Sequence, residues 1–303
     1  GEYQEYVATP ADYMRSALMT GLDLGQEVGI NPFQFGVIGS TDAHTGIASA
    51  EEGNFWGKFA RDSFPENKVV EGLLGGTGST GWSMAAAGLA AVWAGENTRE
   101  SIFAAFQRRE VYATSGTRLK VRVFGGWDLQ QSDLEAADFA TVGYARGVPM
   151  GAELPPVAGG AGPVFIVRAE KDPVGANLDR IQLIKGWRDA SGQTRERVFE
   201  VAWAGDRQPD ADGRLPPVGS TVDLSSGKYD NTIGTPELAG IWTDHEFDPA
   251  LPAFYYIRVL EIPTPRHSLL DTLALGEPPP DEVPTTVQER AYTSPIWYTP
   301  GID

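Results

Sequence analysis

Cysteine is absent from the 303 residues. That removes disulfides, thiolate nucleophiles, zinc fingers and iron–sulfur ligation together, while leaving the compartment open, because a domain of this size can be secreted without disulfides. Histidine is scarce: His44, His245 and His267 are the three in the chain. Basic residues are also few, with 24 Lys and Arg against 41 Asp and Glu, a net charge of −17. A field of that sign repels phosphate backbones and anionic lipid. It argues against nucleic acid and membrane surfaces as partners, and suits a protein that must stay soluble or one that holds cations; a small-molecule substrate is the expected partner. No apolar run approaches the ~18 residues of a membrane span; residues 83–95 come closest. No initiator Met, basic segment or apolar leader opens the sequence, which starts GEYQEYVATP. A processed or truncated chain is the expectation from that start.

What is present describes a globular, loop-rich chain, with 41% hydrophobic and 21% charged residues, 36 Gly and 22 Pro. Thr9-Pro10-Ala11-Asp12 reads as a helix start. Met14, Ala17, Leu18, Gly21, Leu22, Gly25 and Val28 follow at helical spacing, and Gly29 ends the helix. FGVIG (35–39) reads as a strand buried on both faces, 84–94 as a helix, and Asn97-x-x-Glu100 as the capping box of another. VYATS (111–115) reads as a strand. GLLGGTGSTG (72–81) reads as a flexible loop and not a phosphate cradle, because no Gly-Lys-Ser/Thr follows. Beyond Leu119 the apolar runs shorten and become β-branched, as in LKVRVFGGW, VFIVRAE, IQLIKGW, RVFEVAW and FYYIRVLE. DASG (189–192) is a hairpin turn candidate. The expected fold is α/β in residues 1–118, followed by an all-β, sandwich-like region in 119–303.

Chemistry concentrates in Gly39-Ser40-Thr41-Asp42-Ala43-His44-Thr45. Asp42 and His44 are two metal-ligand types one residue apart, on a turn where both can point at one ion. Two ligands do not complete a site, since a transition metal takes about three to six. TDHEFDP (243–249), around His245, reads as a solvated acidic loop, and His267 as a loop residue. Glu51 and Glu52 follow closely enough to line the same cleft, one of them as a candidate general base. Ser115 and Arg118, in the TSGTR turn after VYATS, are candidates for holding an anionic substrate oxygen. Ser40, His44 and Asp42 spell a triad, but they crowd one turn without a nucleophile elbow.

FGVIGSTDAHTGIASAEEGNFWGK (35–58), ENTRESIFAAFQRREVYATSGTR (96–118), VFGGWDL (123–129), GVPMGAEL (147–154), LDRIQLIKGW (178–187), FDPALPAFYYIRVLE (247–261) and QERAYTSPIWY (288–298) resemble domain-of-unknown-function family 3604. That family is similar to the PHP (polymerase and histidinol phosphatase) metal-dependent hydrolases. The resemblance implies a distorted (β/α)-type barrel with a divalent metal centre of Mn, Fe or Zn. A late Asp-x-His motif supplies ligands in such proteins and matches Asp42 and His44. An earlier His-x-His motif belongs to their N-terminal half, and this sequence has none. The resemblance therefore implies residues 1–118 as the last units of a PHP-like barrel, with residues 119–303 as a β-rich appendage. It also implies a phosphoester hydrolase whose remaining ligands come from a missing N-terminal segment or a second chain, and a TSPIWY strand returning toward the barrel. The alternatives are a metal-dependent amide or lactam hydrolase, or a non-catalytic β-rich module binding carbohydrate or a protein partner.

Overall fold

The structure is a computed structural model, and it describes residues 9–46, 49–69, 81–86, 88–157, 161–278 and 283–301. The 72–81 loop lies outside these residues except for Gly81. Among the described residues the chain forms α1 (Met14–Val28), β1 (Leu89–Val92), α2 (Arg99–Gln107), β2 (Val111–Thr114) and β3 (Lys120–Gly126). It continues through α3 (Gln131–Glu135), α4 (Phe139–Arg146), β4 (Val148–Pro149), β5 (Glu153–Leu154), β6 (Val164–Glu170), β7 (Leu178–Arg188), β8 (Thr194–Trp203) and β9 (Glu237–Thr243). It closes with β10 (Ala253–Glu261), β11 (Thr264–Pro265), α5 (His267–Leu275), β12 (Thr286–Val287), β13 (Arg290–Thr293) and β14 (Ile296–Tyr298). No described helix is long and apolar enough to cross a membrane.

Two sheets pack face to face. The larger has eight strands, with β1-β2-β13-β10-β14-β5 as its path and β7 and β8 attached along the other edge of β10. The smaller is β4-β3-β6-β9. Between them lie Tyr112, Val121, Val123, Phe165, Val167, Ile181, Leu183, Tyr255, Ile257, Val259 and Tyr298. The strand period of two sends alternate residues the other way. On the outer face of the large sheet Ile184, Phe254, Tyr256 and Trp297 meet Leu18 and Leu22 of α1. On the outer face of the small sheet Phe124 and Ile166 meet Leu134 of α3 and Phe139 of α4. Both faces are therefore dry over the first part of β10 and of β6, which is why AFYYI and VFIV read as unbroken apolar runs.

Several local expectations hold and others change. Gly29 ends α1 in the left-handed region, its φ being 79°. Val28, assigned to the buried stripe, is 66% exposed. The DASG turn joins β7 to β8, with Asp189 accepting hydrogen bonds from the N–H groups of Ser191 and Gln193. Thr98, not Asn97, caps α2, accepting the Ser101 N–H at 3.3 Å. FGVIG is not a strand. Within the expected helix at 84–94, Leu89–Val92 form β1, antiparallel to β2, with Leu89 opposite Thr114. Its alanine-rich run favours helix locally, but pairing along β2 satisfies its backbone within the sheet. The glycine- and alanine-rich lead-in also lets residue 39 approach closely. A Cβ on Gly39 would stand 2.6 Å from the Thr114 carbonyl and 2.7 Å from that of Leu89.

The large sheet runs across residue 118. β13 sits between β2 and β10, and β14 continues along β10 while pairing in parallel with β5. Pro295 separates β13 from β14. The Thr293 hydroxyl takes over there as acceptor for the Ile257 N–H at 2.9 Å.

The acidic run around His245 also differs from its reading. Asp244 is 1% exposed. It accepts from Lys185 Nζ at 2.6 Å, from the Tyr255 hydroxyl at 2.7 Å and from the Glu246 N–H at 3.1 Å. Asp244→Ala strands a buried ammonium and a buried phenol, so it should cost roughly 3–5 kcal/mol in urea denaturation with an unchanged m-value. A loss below about 1 kcal/mol would mean that water replaces the carboxylate without penalty.

Candidate functional site

The segment after Gly39 turns over the end of β2. Asp42 adopts φ 51°, a left-handed conformation that aspartate tolerates better than most residues. The turn brings Asp42 Oδ1 within 3.4 Å of His44 Nε2, and both side chains are open to solvent, at 79% and 56% exposed. The His44 N–H donates to the Lys58 carbonyl at 2.8 Å, and its ring stacks on Phe59 with centroids 4.9 Å apart. Lys58 Nζ returns the contact by donating to the Thr41 carbonyl. Burial pushes the Lys58 ammonium below its ordinary value, opposed by the carboxylates of Asp42 and Glu52. Lys58 thus stands electrostatically between the Asp-x-His turn and Glu52.

Glu52 does not stand free as a base. Its Oε2 accepts the His267 N–H at 2.6 Å, at the first turn of α5, where the helix dipole favours an anion. His267 opens that helix and is 1% exposed, so it is not the loop residue expected. Its Nε2 lies 2.9 Å from the Met84 carbonyl, which makes Nε2 the protonated nitrogen. Nδ1 is left facing Asp271, whose Oδ2 is 3.9 Å away. Asp271 also takes Lys68 Nζ at 2.9 Å and Trp82 Nε1 at 3.0 Å. Spacing does not reveal this cluster, because Glu52, Lys68, Trp82 and Met84 lie between 183 and 215 residues from their partners His267 and Asp271 in sequence.

A cleft of about 300 Å³ opens beside these elements. Glu51, Glu52, Thr117, Arg118, Glu261 and Glu289 line it, with Asp172, Val174, Tyr229, Pro265 and Leu270. Arg118 Nη1 donates to Glu51 Oε1 at 2.8 Å, and that bond holds the Glu51 carboxyl below its ordinary range. Ser115 does not line the cleft. Its hydroxyl donates to Glu289 Oε2 and accepts the Arg290 N–H at 2.9 Å. Thr117 does the same two residues on, donating to Glu261 Oε1 and accepting the Leu119 N–H at 3.2 Å. Arg118 thus turns to Glu51 at the cleft and Ser115 to Glu289, and no parallel pairing of β2 with FGVIG sets their position, since FGVIG is not a strand.

Glu261 and Glu289 are the residues that sequence reasoning missed. Each stands at a strand end: Glu261 closes β10, and Glu289 precedes β13, its carbonyl accepting the Glu261 N–H at 2.8 Å. Burial pushes Glu261 up to about 8, against the Thr117 hydrogen bond and with the repulsion of Glu289. Burial likewise pushes Glu289 up to about 7, against the Ser115 hydrogen bond.

A carboxyl raised on folding holds its proton more tightly in the native state. The stability it contributes is full below the unfolded value of 4.5 and is lost as pH rises through about 7 for Glu289 and about 8 for Glu261. Stability should therefore fall between about pH 5 and 9 on this account. Glu261→Gln should flatten the profile and raise stability at about pH 9 by on the order of 2–3 kcal/mol. Denaturant titrations across that range give the answer, and identical slopes for wild type and variant would mean that the carboxyl ionises freely.

The family comparison matches one model, described as "Protein of unknown function (DUF3604)", over residues 2–300. No curated protein and no solved structure gave a significant match. With the match spanning nearly all of the sequence, from before α1 to the end of β14, the chain belongs to the DUF3604 family.

Proposed function

We propose that the protein is a metal-dependent hydrolase of PHP type, acting on phosphoesters. The supporting observation is the convergence of Asp42 Oδ1 and His44 Nε2, 3.4 Å apart on an exposed left-handed turn. One carboxylate oxygen and one imidazole nitrogen form a donor pair suited to Mn, Fe or Zn. Among the described residues no group of three His, Asp or Glu is arranged to hold a metal. In this reading the other ligands come from outside the described residues, either from a further segment of the natural protein or from a second chain. A divalent ion bound there supplies an activated water and polarises the scissile bond.

The chain's own residues do the rest. Phe59 stacking and the Lys58 carbonyl fix the His44 ring and backbone. Arg118, 58% exposed and anchored through one nitrogen to Glu51, keeps its other nitrogens for an anionic substrate oxygen. Ser115 acts at one remove, by orienting Glu289 rather than by touching substrate.

Elemental analysis together with hydrolysis of p-nitrophenyl phosphate tests the reading on these 303 residues and on the full-length natural protein. The 303-residue chain should hold metal weakly and turn over little, since affinity needs the whole ligand set preorganised. The full-length protein should carry metal and activity, and Asp42→Ala or His44→Ala should lower bound metal and reduce kcat/KM by about a hundredfold or more. Unchanged metal content in both variants would remove Asp42 and His44 as ligands.

A further inference from the structure

The hydrolase reading leaves the floor of the cleft unused. Glu261 is 2% exposed and Glu289 8%, yet both line the opening. Each gives one oxygen to a hydroxyl whose own lone pair is occupied by a backbone N–H, so the hydroxyl proton is aimed at the carboxyl. Among the described residues no donor reaches Glu261 Oε2 or Glu289 Oε1. Each side chain thus keeps a second carboxyl oxygen, in a residue that lines the cleft.

Among the described residues none of the nearby cations forms an ion pair with Glu261 or Glu289. Lys171 Nζ is spent on the carbonyls of Asp172, Pro173 and Gly175. Arg118 is tied to Glu51, and Arg290 Nε donates to the Gln288 carbonyl. The field at Glu261 comes from Glu289, Asp172 and Lys171, and that at Glu289 from Glu52 and Arg290. Tyr229 feels Glu261 and Asp172 as well, and they hold its phenol up, after burial. A deep carboxyl pair thus faces a cleft whose walls are apolar at Val174, Pro265 and Leu270.

We propose that this cleft binds a small aliphatic ammonium compound, its nitrogen between Glu261 and Glu289 and its carbon chain along Val174, Pro265 and Leu270. A bare metal ion would leave those walls unfilled, and a neutral polyol has no charge to pair with the carboxylates that deprotonation leaves. The site is separate from Asp42 and His44 and does not depend on the hydrolase reading. Because burial raises both carboxyls above their ordinary range, a cation that favours their charged forms displaces protons as it enters, and binding tightens as pH rises through that range.

Isothermal titration with 1,4-diaminobutane as the probe tests this on the 303-residue chain, in two buffers of different ionisation enthalpy. The expected result is one saturable site with net proton release, tightening by about tenfold or more between about pH 6 and 9. Glu261→Gln should weaken it by at least about tenfold, and so should Val174→Trp, which fills the cleft from an exposed wall and leaves the carboxyls in place. Circular dichroism confirms that both variants are folded. Asp42→Ala should bind as wild type, which keeps this result independent of the metal hydrolase. The proposal is overturned if no saturable heat appears, or if the neutral twin butane-1,4-diol binds equally well. It is equally overturned if both cleft variants bind the diamine as wild type does, the mark of non-specific attraction to an acidic surface.

Discussion

Strand β10 is the member on which the rest of the structure depends. It pairs with β7 along its whole length on one edge, and is shared between β13 and β14 on the other. Both of its faces are covered, one by the small sheet and one by α1. A strand enclosed on four sides must satisfy every backbone group within protein, because an unmade hydrogen bond there costs as much as a made one stabilises, or more. That constraint explains the Thr293 hydroxyl standing in where Pro295 interrupts the neighbouring ladder. It also fixes where β10 ends. Glu261 is the first charged group on its inward path, and it emerges at the cleft still buried.

The cleft follows from this sheet end. β2 and β10 run in the same direction, both antiparallel to β13, so their carboxyl termini emerge together. The turn after β2 then supplies Ser115 and Thr117, two residues apart, as hydroxyl partners for Glu289 and Glu261. A buried carboxyl pair is unfavourable unless it is neutralised or hydrogen-bonded. Here the two hydroxyls moderate the cost while burial raises both carboxyls above their ordinary range.

α5 secures the other wall. Glu52 caps it, His267 is held by the Met84 carbonyl, and Asp271 gathers Lys68 and Trp82. The Asp42–His44 turn connects to this wall through Lys58, whose ammonium answers to Asp42 on one side and Glu52 on the other. The exposed pair and the buried cleft are therefore neighbours in one electrostatic environment, although they do different chemistry.

The sequence by itself determined whatever is encoded by local periodicity or by a special residue. The β-rich run beyond Leu119, the α1 stop at Gly29, the DASG hairpin and the Asp42–His44 turn all depend on groups within a few residues of each other. It misjudged 84–94, where an alanine-rich stretch with helical propensity becomes β1 because β2 offers it a ladder. It also misplaced His267 and the run around Asp244, because spacing does not reveal burial. The tertiary structure alone decided that Glu261 and Glu289 form a pair with Thr117 and Ser115. Those contacts span 144 and 174 residues. They arise because strand pairing, a non-local interaction, sets which chain segments end at the same edge of the sheet.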